Sequence, residues 1–279
     1  MKKLLAIAVV TVFAAPMAAS ADVTIGGNLN QEYIFGSGNK NIVDDSGDNE
    51  ITIRASTPLS NGMTGTASIN HEFNASGNKN DSATNHTLGK LGIKGGFGHV
   101  TIGDVSEPMD GIDGVVGFLP KDFDYGNGEG SQGINYTGAF GPVGITALVR
   151  PGHATTATGS GTKSQLGLTY KAGPISAGLG IGSGTTGPKT RLALAYNAGN
   201  YSIGGQVDKN QAGDKASVIG GKYNFGKAFA SASFGKKSGV KGNAFKLGYA
   251  LGASTDVYFA SSKDTGATRV NKIGINQKF

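Results

Sequence analysis

Two sets of charged side chains stand apart in this chain. Residues 104–129 carry Asp104, Glu107, Asp110, Asp113, Asp122, Asp124 and Glu129 against a lone Lys121. Elsewhere Arg54, Lys90, Lys94 and Arg150 sit in short segments where apolar and polar residues alternate. An acidic segment facing basic side chains across water would make and break no bonds. It would set up a field that aligns water and dipolar solutes and biases the passage of ions. Groupings that could do covalent or metal chemistry are weaker. Asp44, Asp45, Asp48 and Glu50 supply carboxylates but lack the spacing of a twelve-residue calcium loop. His71, His86, His99 and His153 show no ligand spacing such as HExxH. There is no cysteine for a disulfide or a thiolate metal site. No Gly-x-Ser-x-Gly elbow stands in a strand–turn–helix context, and the Gly-x-Gly pairs precede no helix that could cradle a phosphate. Neither an enzyme, nor a cofactor, nor a metal site is expected.

The elements that must position these charges are strands. Val23, Ile25, Leu29 and Tyr33 alternate with Thr24, Gly26, Asn28, Asn30 and Glu32, and the same period of two recurs down the chain. Leu91 and Ile93 alternate with Lys90 and Lys94, Leu192 and Leu194 lead to Tyr196, and Phe245, Leu247 and Tyr249 flank Lys246. Tight links rich in Gly, Pro or Asn fall at 58–62, 95–98, 138–142, 171–174, 197–200, 224–227 and 251–254. Between them lie mostly longer polar segments at 36–49, 74–84, 104–129, 151–162, 183–188, 208–215, 236–241 and 262–266. Seven turns and eight loops join sixteen strands in an all-β meander whose connectors sort by length, the layout of a transmembrane antiparallel up-and-down barrel. A soluble sandwich would not sort its connectors so regularly. Tyr170, Tyr196, Tyr201, Tyr223, Phe225 and Tyr249 flank the tight turns, as a membrane-interface girdle would.

The two ends agree. Lys2 and Lys3, the apolar run from Leu4 to Ala15 and Ala19-Ser20-Ala21 form the three parts of a signal peptide, so residues 1–21 are expected to be removed and 22–279 to form the barrel. Ile273, Ile275, Gln277 and Phe279 alternate to an aromatic final residue that would sit in the girdle. No later run of 18 apolar residues offers a membrane helix. The formal net charge is +6, but the basic residues are dispersed, and no nucleic acid is expected as a partner.

The stretch Leu91-Gly92-Ile93-Lys94-Gly95-Gly96-Phe97-Gly98-His99-Val100-Thr101-Ile102-Gly103 resembles the strand–turn–strand block of Gram-negative general porins. Asp22-Val23-Thr24-Ile25-Gly26-Gly27 is similar to their first strand, and Gly274-Ile275-Asn276-Gln277-Lys278-Phe279 to their last. The resemblance implies a sixteen-stranded homotrimer in the Gram-negative outer membrane that passes small hydrophilic solutes and ions by passive diffusion. It further implies contact with the bilayer and lipopolysaccharide, and recognition of Phe279 by the outer-membrane assembly machinery. It also implies that the loop after the fifth strand, residues 104–129, folds inward as the constriction. The apolar run Ile112, Val115, Val116, Phe118 and Leu119 supports that, since a loop in water has no use for it. The chain departs from the family in its abbreviated loops after residue 183.

If the apolar set faces lipid, parity turns the other set inward: Asn28, Asn30 and Glu32; Thr52 and Arg54; Asn70 and Glu72; Lys90 and Lys94; His99 and Thr101; and later Arg150, Arg191, Lys222, Lys246, Lys272 and Lys278. A barrel this wide holds an aqueous channel that something must narrow. The expected constriction sets Asp104, Glu107, Asp110, Asp113, Asp122 and Asp124 against Arg54, Lys90, Lys94 and Arg150. A weak cation preference follows if the loop, where the potential is focused, outweighs the wall. Three other readings stay open. A substrate-selective channel would show an aromatic slide or paired basic rows, a barrel enzyme a rim-side catalytic cluster, and an adhesin a bulky filled interior.

Overall fold

The computed structural model describes residues 21–36, 41–44, 49–73, 86–121, 123–126, 131–151, 163–183 and 188–279. Residues 1–20 of the expected leader, Asp122, Glu129, the whole loop segment 74–84 and all of 151–162 but Pro151 lie outside the described residues. Seventeen strands form one antiparallel sheet: β1 Asp22–Phe35, β2 Ile42–Asp44, β3 Glu50–Pro58, β4 Thr64–Glu72, β5 His86–Gly95, β6 Gly98–Val105, β7 Ser131–Phe140, β8 Val143–Arg150, β9 Lys163–Ala172, β10 Ile175–Ser183, β11 Pro188–Ala198, β12 Tyr201–Asn210, β13 Lys215–Phe225, β14 Ala228–Lys237, β15 Val240–Ala250, β16 Thr255–Asp264 and β17 Val270–Lys278. β2 and β3 both pair with β1, at Ile34↔Ile42 and Ile25↔Ile53, so they are two pieces of one wall strand. β17 then pairs with β1 from Asn28↔Lys278 to Phe35↔Asn271 and closes the sheet into a sixteen-strand barrel. Closure leaves no unpaired edge, which a sheet in lipid requires. Phe279 extends the seam, exchanging backbone hydrogen bonds with Gly27 at 3.0 and 3.2 Å.

Alternation is obeyed around the wall. Ile25, Ile53, Leu91, Ile102, Leu192, Ile219, Phe234 and Ile273 are all exposed, whereas Glu32, Thr52, Arg150, Arg191 and Asp208 are buried. The apolar band is therefore outside and the polar set inside, the reverse of a soluble protein. Six girdle aromatics, Tyr170, Tyr196, Tyr201, Tyr223, Phe225 and Tyr249, project outward beside the tight-turn rim. Links there are as short as two residues. In Gly173-Pro174, for example, Gly173 has φ 55°, the left-handed geometry such hairpins need.

The opposite rim differs from expectation in its second half. Segments expected as loops at 208–215 and 236–241 shrink to 211–214 and 238–239: β12 runs to Asn210, β13 starts at Lys215, and Ser238-Gly239 alone joins β14 to β15. Ser238 at φ 46° and Gly239 at φ 90° form a two-residue hairpin, so polar residues on both sides stay in the ladder.

The packed core lies inside the barrel, between an inward loop and the wall. Ile112, Val116, Leu119 and Phe123 of the loop pack with Ala193 of β11 and Val218 of β13. The wall makes room with glycines: an added Cβ at Gly178 would lie 3.0 Å from Ile112, and at Gly235 or Gly242 it would run into Phe123. Each fully buried aliphatic side chain here contributes about 2 kcal/mol.

Candidate functional site

β6 starts the loop by leaving its neighbour. It pairs with β5 only as far as Lys90↔Gly103, but with β7 on to Val105↔Ser131. Gly103 has φ 122°, and a Cβ there would strike the Gly89 carbonyl oxygen, so glycine permits the bend. Helix α1, Pro108–Asp113, follows at once, with Pro108 in its first turn and a reciprocal cap. In that cap the Glu107 backbone N–H donates to Asp110 Oδ2 at 3.0 Å. A 3₁₀ turn at Gly114–Val116 carries the chain along β10–β12.

Ionic anchors pin the loop to β8–β12 and β16. Arg150 Nη1 meets Glu107 Oε1 at 2.5 Å, and Gln165 Nε2 donates to Glu107 Oε2 at 2.5 Å. Arg191, fully buried, donates through Nε and Nη2 to Asp208 at 2.9 and 2.8 Å and through Nη2 to Asp124 at 2.7 Å. Its Nη1 lies 3.7 Å from Asp113 and donates to the Met109 carbonyl at 3.2 Å. Gln206 Nε2 donates to Asp113 at 2.9 Å. Lys121 holds both oxygens of Asp264 at 2.8 Å.

These contacts divide the charges that the sequence grouped together. Glu107, Asp113 and Asp124 turn toward the wall and are ion-paired there. Arg150, expected on the open pore wall, is on the inner face but only 5% exposed, because the loop covers it and Glu107 meets it. Asp104 and Asp110 turn the other way. They line an open recess of about 260 Å³ shared with Glu50, Thr52, Arg54, Ser68, Asn70, Glu72 and Lys90 of β3–β5. Asn70 Nδ2 bridges Glu50 at 2.8 Å and Glu72 at 3.2 Å, fixing both carboxylates. Towards the tight-turn rim a second space of about 380 Å³ is again lined by Arg54 and Lys90, with Asp22 and His99. Lys94 pairs with His99 across β5 and β6 on this inner face. Burial pushes the Asp110 carboxyl above its ordinary range; the Glu107 backbone N–H offsets part of this and the Glu107 charge adds to it. Burial likewise raises Asp113, in spite of Arg191.

Parity placed Arg191 on the inner face, but its anchoring role, its partner Asp208 and the place of Glu50 in the recess were not foreseen from sequence. A signal existed for the pair: Arg191 and Asp208 are in register on neighbouring strands, each on the inner parity of an otherwise apolar stretch. A further pattern crosses the far wall. Lys222↔Ser231, Ser231↔Lys246, Lys246↔Ala260 and Ala260↔Lys272 place three lysines in one inner row over β13–β17. Lys222 Nζ lies 4.2 Å over the Phe229 ring and Lys246 Nζ 3.9 Å over Tyr258, while Lys272 pairs with Glu32 at 2.6 Å. Among the described residues no grouping of His, Asp and Glu suits a metal ion.

The fold recurs among solved porins. A triple mutant of the Rhodopseudomonas blastica porin matches with TM-score 0.74 at 13% identity, over 93% of this chain and 100% of that one. An anion-selective porin from Comamonas acidovorans gives 0.71 at 17%, with the same coverage. OmpT, a Vibrio cholerae outer-membrane protein in a form lacking its loop L8, gives 0.71 at 14%, again over 93% and 100%. No curated protein matches by sequence. A family model described as Gram-negative porin matches residues 6–267. With that match spanning a closed barrel that is apolar outside and charged within, the chain belongs to the Gram-negative porins, outer-membrane channels for passive diffusion rather than enzymes.

Proposed function

We propose that solutes cross between the inward loop and the β3–β6 wall, with Asp104 and Asp110 on one side of the constriction and Arg54, Lys90 and Lys94 on the other. The observation that carries this is the recess in which four carboxylates, Glu50, Glu72, Asp104 and Asp110, meet two cations, Arg54 and Lys90. Glu107, Asp113 and Asp124 hold the loop in place and contribute less to the passing ion, since each is ion-paired. The balance favours a weak cation preference that fades with salt. Single-channel recording of the folded protein in a planar bilayer, with the reversal potential taken across a KCl gradient, tests it. Discrete conductance steps with a cation-side reversal are expected, and a stably inserted but silent barrel would overturn the reading.

One observation favours a second reading, a channel selective for anionic solutes. The lysine row of β13–β17 is the basic row such a pore would use, and the Comamonas relative is described as anion-selective. An anion-side reversal that disappears in Lys222→Gln/Lys246→Gln would support it.

The same proposal includes removal of residues 1–21 as a signal peptide, assembly as a homotrimer, contact with lipopolysaccharide, and presentation of Phe279 to the outer-membrane assembly machinery. Phe279 is 57% exposed at the seam, which supports the last of these. The mass of the exported chain and its heat-modifiable migration on gels would test the leader and the trimer.

A further inference from the structure

On the outward face of the barrel, at the rim opposite the tight turns, strand register gathers basic side chains that the sequence keeps apart. Lys236 of β14 and Lys241 of β15 are direct cross-strand partners. Lys263 of β16 and Phe234 of β14 both pair with Asn243 of β15. Alternation sends these side chains outward, while their neighbours Lys237 and Asp264 turn inward to Tyr125 and Lys121 of the loop. Lys236, Lys241, Lys263, Asn243 and Phe234 line an open cleft of about 650 Å³. Arg269 joins them from just before β17, donating through Nη2 to Asn243 Oδ1 at 3.2 Å and through Nη1 to Ser261 Oγ at 2.9 Å.

Among the described residues nothing neutralises this group. Among the described residues, none of Lys236, Lys241, Lys263 and Arg269 has a carboxylate at ion-pair distance. Asp264, at the cleft's edge, already spends both oxygens on Lys121. Like charges placed directly opposite destabilise a sheet unless an anion sits between them. The two-residue link Ser238-Gly239 is too short to fold over the cleft. Below the cations, one step toward the apolar band, Phe234 is 62% exposed. The cleft is cationic above and apolar beneath, the order in which a lipid presents its phosphate and its acyl chains. The basic rim continues to the outward pair Lys209↔Lys215 of β12 and β13, whereas on β1 and β4 the outward side chains near the same rim are Tyr33, Phe35 and His71, with Phe73 beyond.

We propose that this cleft binds the phosphorylated headgroup of an outer-leaflet lipid. Lys236, Lys241, Lys263 and Arg269 hold the phosphate oxygens, and Phe234 lies against the first acyl carbons. The assignment rests on the reading of the chain as an outer-membrane barrel with its loop rim outward, and it names the chemistry and residues of the lipid contact. Native mass spectrometry of the folded protein in detergent, with diphosphorylated lipid A as the probe, tests it. Lipid A is expected to stay bound to the wild type. Retention should weaken on the order of 100-fold in Lys236→Gln/Lys241→Gln/Lys263→Gln and survive in the corresponding arginine variant. Equal retention by the glutamine variant would overturn the proposal, as would equal binding of dephosphorylated lipid A. Displacement by inorganic phosphate at matching concentration would point to a free anion and overturn the lipid assignment. Bilayer conductance of the same proteins separates the two readings, because these lysines lie outside the lumen. A conducting variant without lipid A sharpens the cleft, whereas a silent wild type that binds lipid A sinks the pore alone.

Discussion

Strands β3–β5 and strands β10–β15 share one alternation, yet their inner faces differ. On the first the inward positions include Glu50, Arg54, Glu72, Lys90 and Lys94, long and charged, with Asn70 between them, and water reaches them. On the second they are largely Gly178, Gly180, Ala193, Ala195, Gly204, Val218, Gly220, Gly235 and Gly242, and the loop covers them. Small residues make a seat for the loop, and charged residues line the proposed passage. The narrowing of the pore is thus decided as much by the glycine half, which lets the loop come close, as by the charged half that faces it.

The most severe way to break this division is to unseat the loop. Arg191→Met would leave Asp113, Asp124 and Asp208 without their common cation, a loss of about 3–5 kcal/mol for a buried pair. Urea titration of the folded barrel should show reduced stability, and single-channel traces should show a larger, noisier conductance. An unchanged conductance would mean that the loop is held by its apolar contacts alone. Next in size is the opposite manoeuvre. Gly178→Val adds volume where a bare Cβ already lies 3.0 Å from Ile112, and overpacking of this kind costs about 1–3 kcal/mol. The loop should move towards β3–β5 and lower the conductance; a rise would show that it yields in another direction.

How far the sequence foretold the two halves depends on the range of the interaction. The period of two in Leu192, Leu194 and Tyr196 and the turn residues Gly173-Pro174 are local, and each specifies its strand or hairpin without help. The run from Ile112 to Leu119 likewise announced a surface to be covered. What the loop's carboxylates do was not legible. Glu107 finds Arg150 and Gln165, and Asp124 finds Arg191 67 residues away, through contacts that exist only after the barrel has closed. Counting charge along the loop therefore overstated the acid that reaches the pore. The outward lysines show the converse. Lys236, Lys241 and Lys263 look dispersed along the chain, and strand register alone brings them together.

A milder test concerns the passage itself. Asp104→Asn/Asp110→Asn removes two of the four carboxylates in the recess and leaves Arg54 and Lys90. The reversal potential across a KCl gradient should move toward anions, more at low salt than at high. Lys90→Gln should move it the other way. If Glu107→Gln shifted selectivity as much as the double variant, the assignment of Glu107 to anchoring would fail.

The smallest effect expected is one of pH. Because burial raises Asp110, its carboxylate takes up a proton at a higher pH than an ordinary carboxyl does. Cation preference should therefore begin to fade above the usual carboxylate range as the bath is acidified. In Asp110→Asn that early step should vanish. The sign for stability runs opposite to that of a salt-bridged acid. A raised carboxyl binds its proton more readily in the folded barrel than in the unfolded chain, so its contribution falls as pH rises through that window. Asp113 behaves alike. Since neither protonation costs the folded barrel stability in this window, mild acid should change selectivity while the loop stays seated, and a conductance jump accompanying the selectivity change would overturn this.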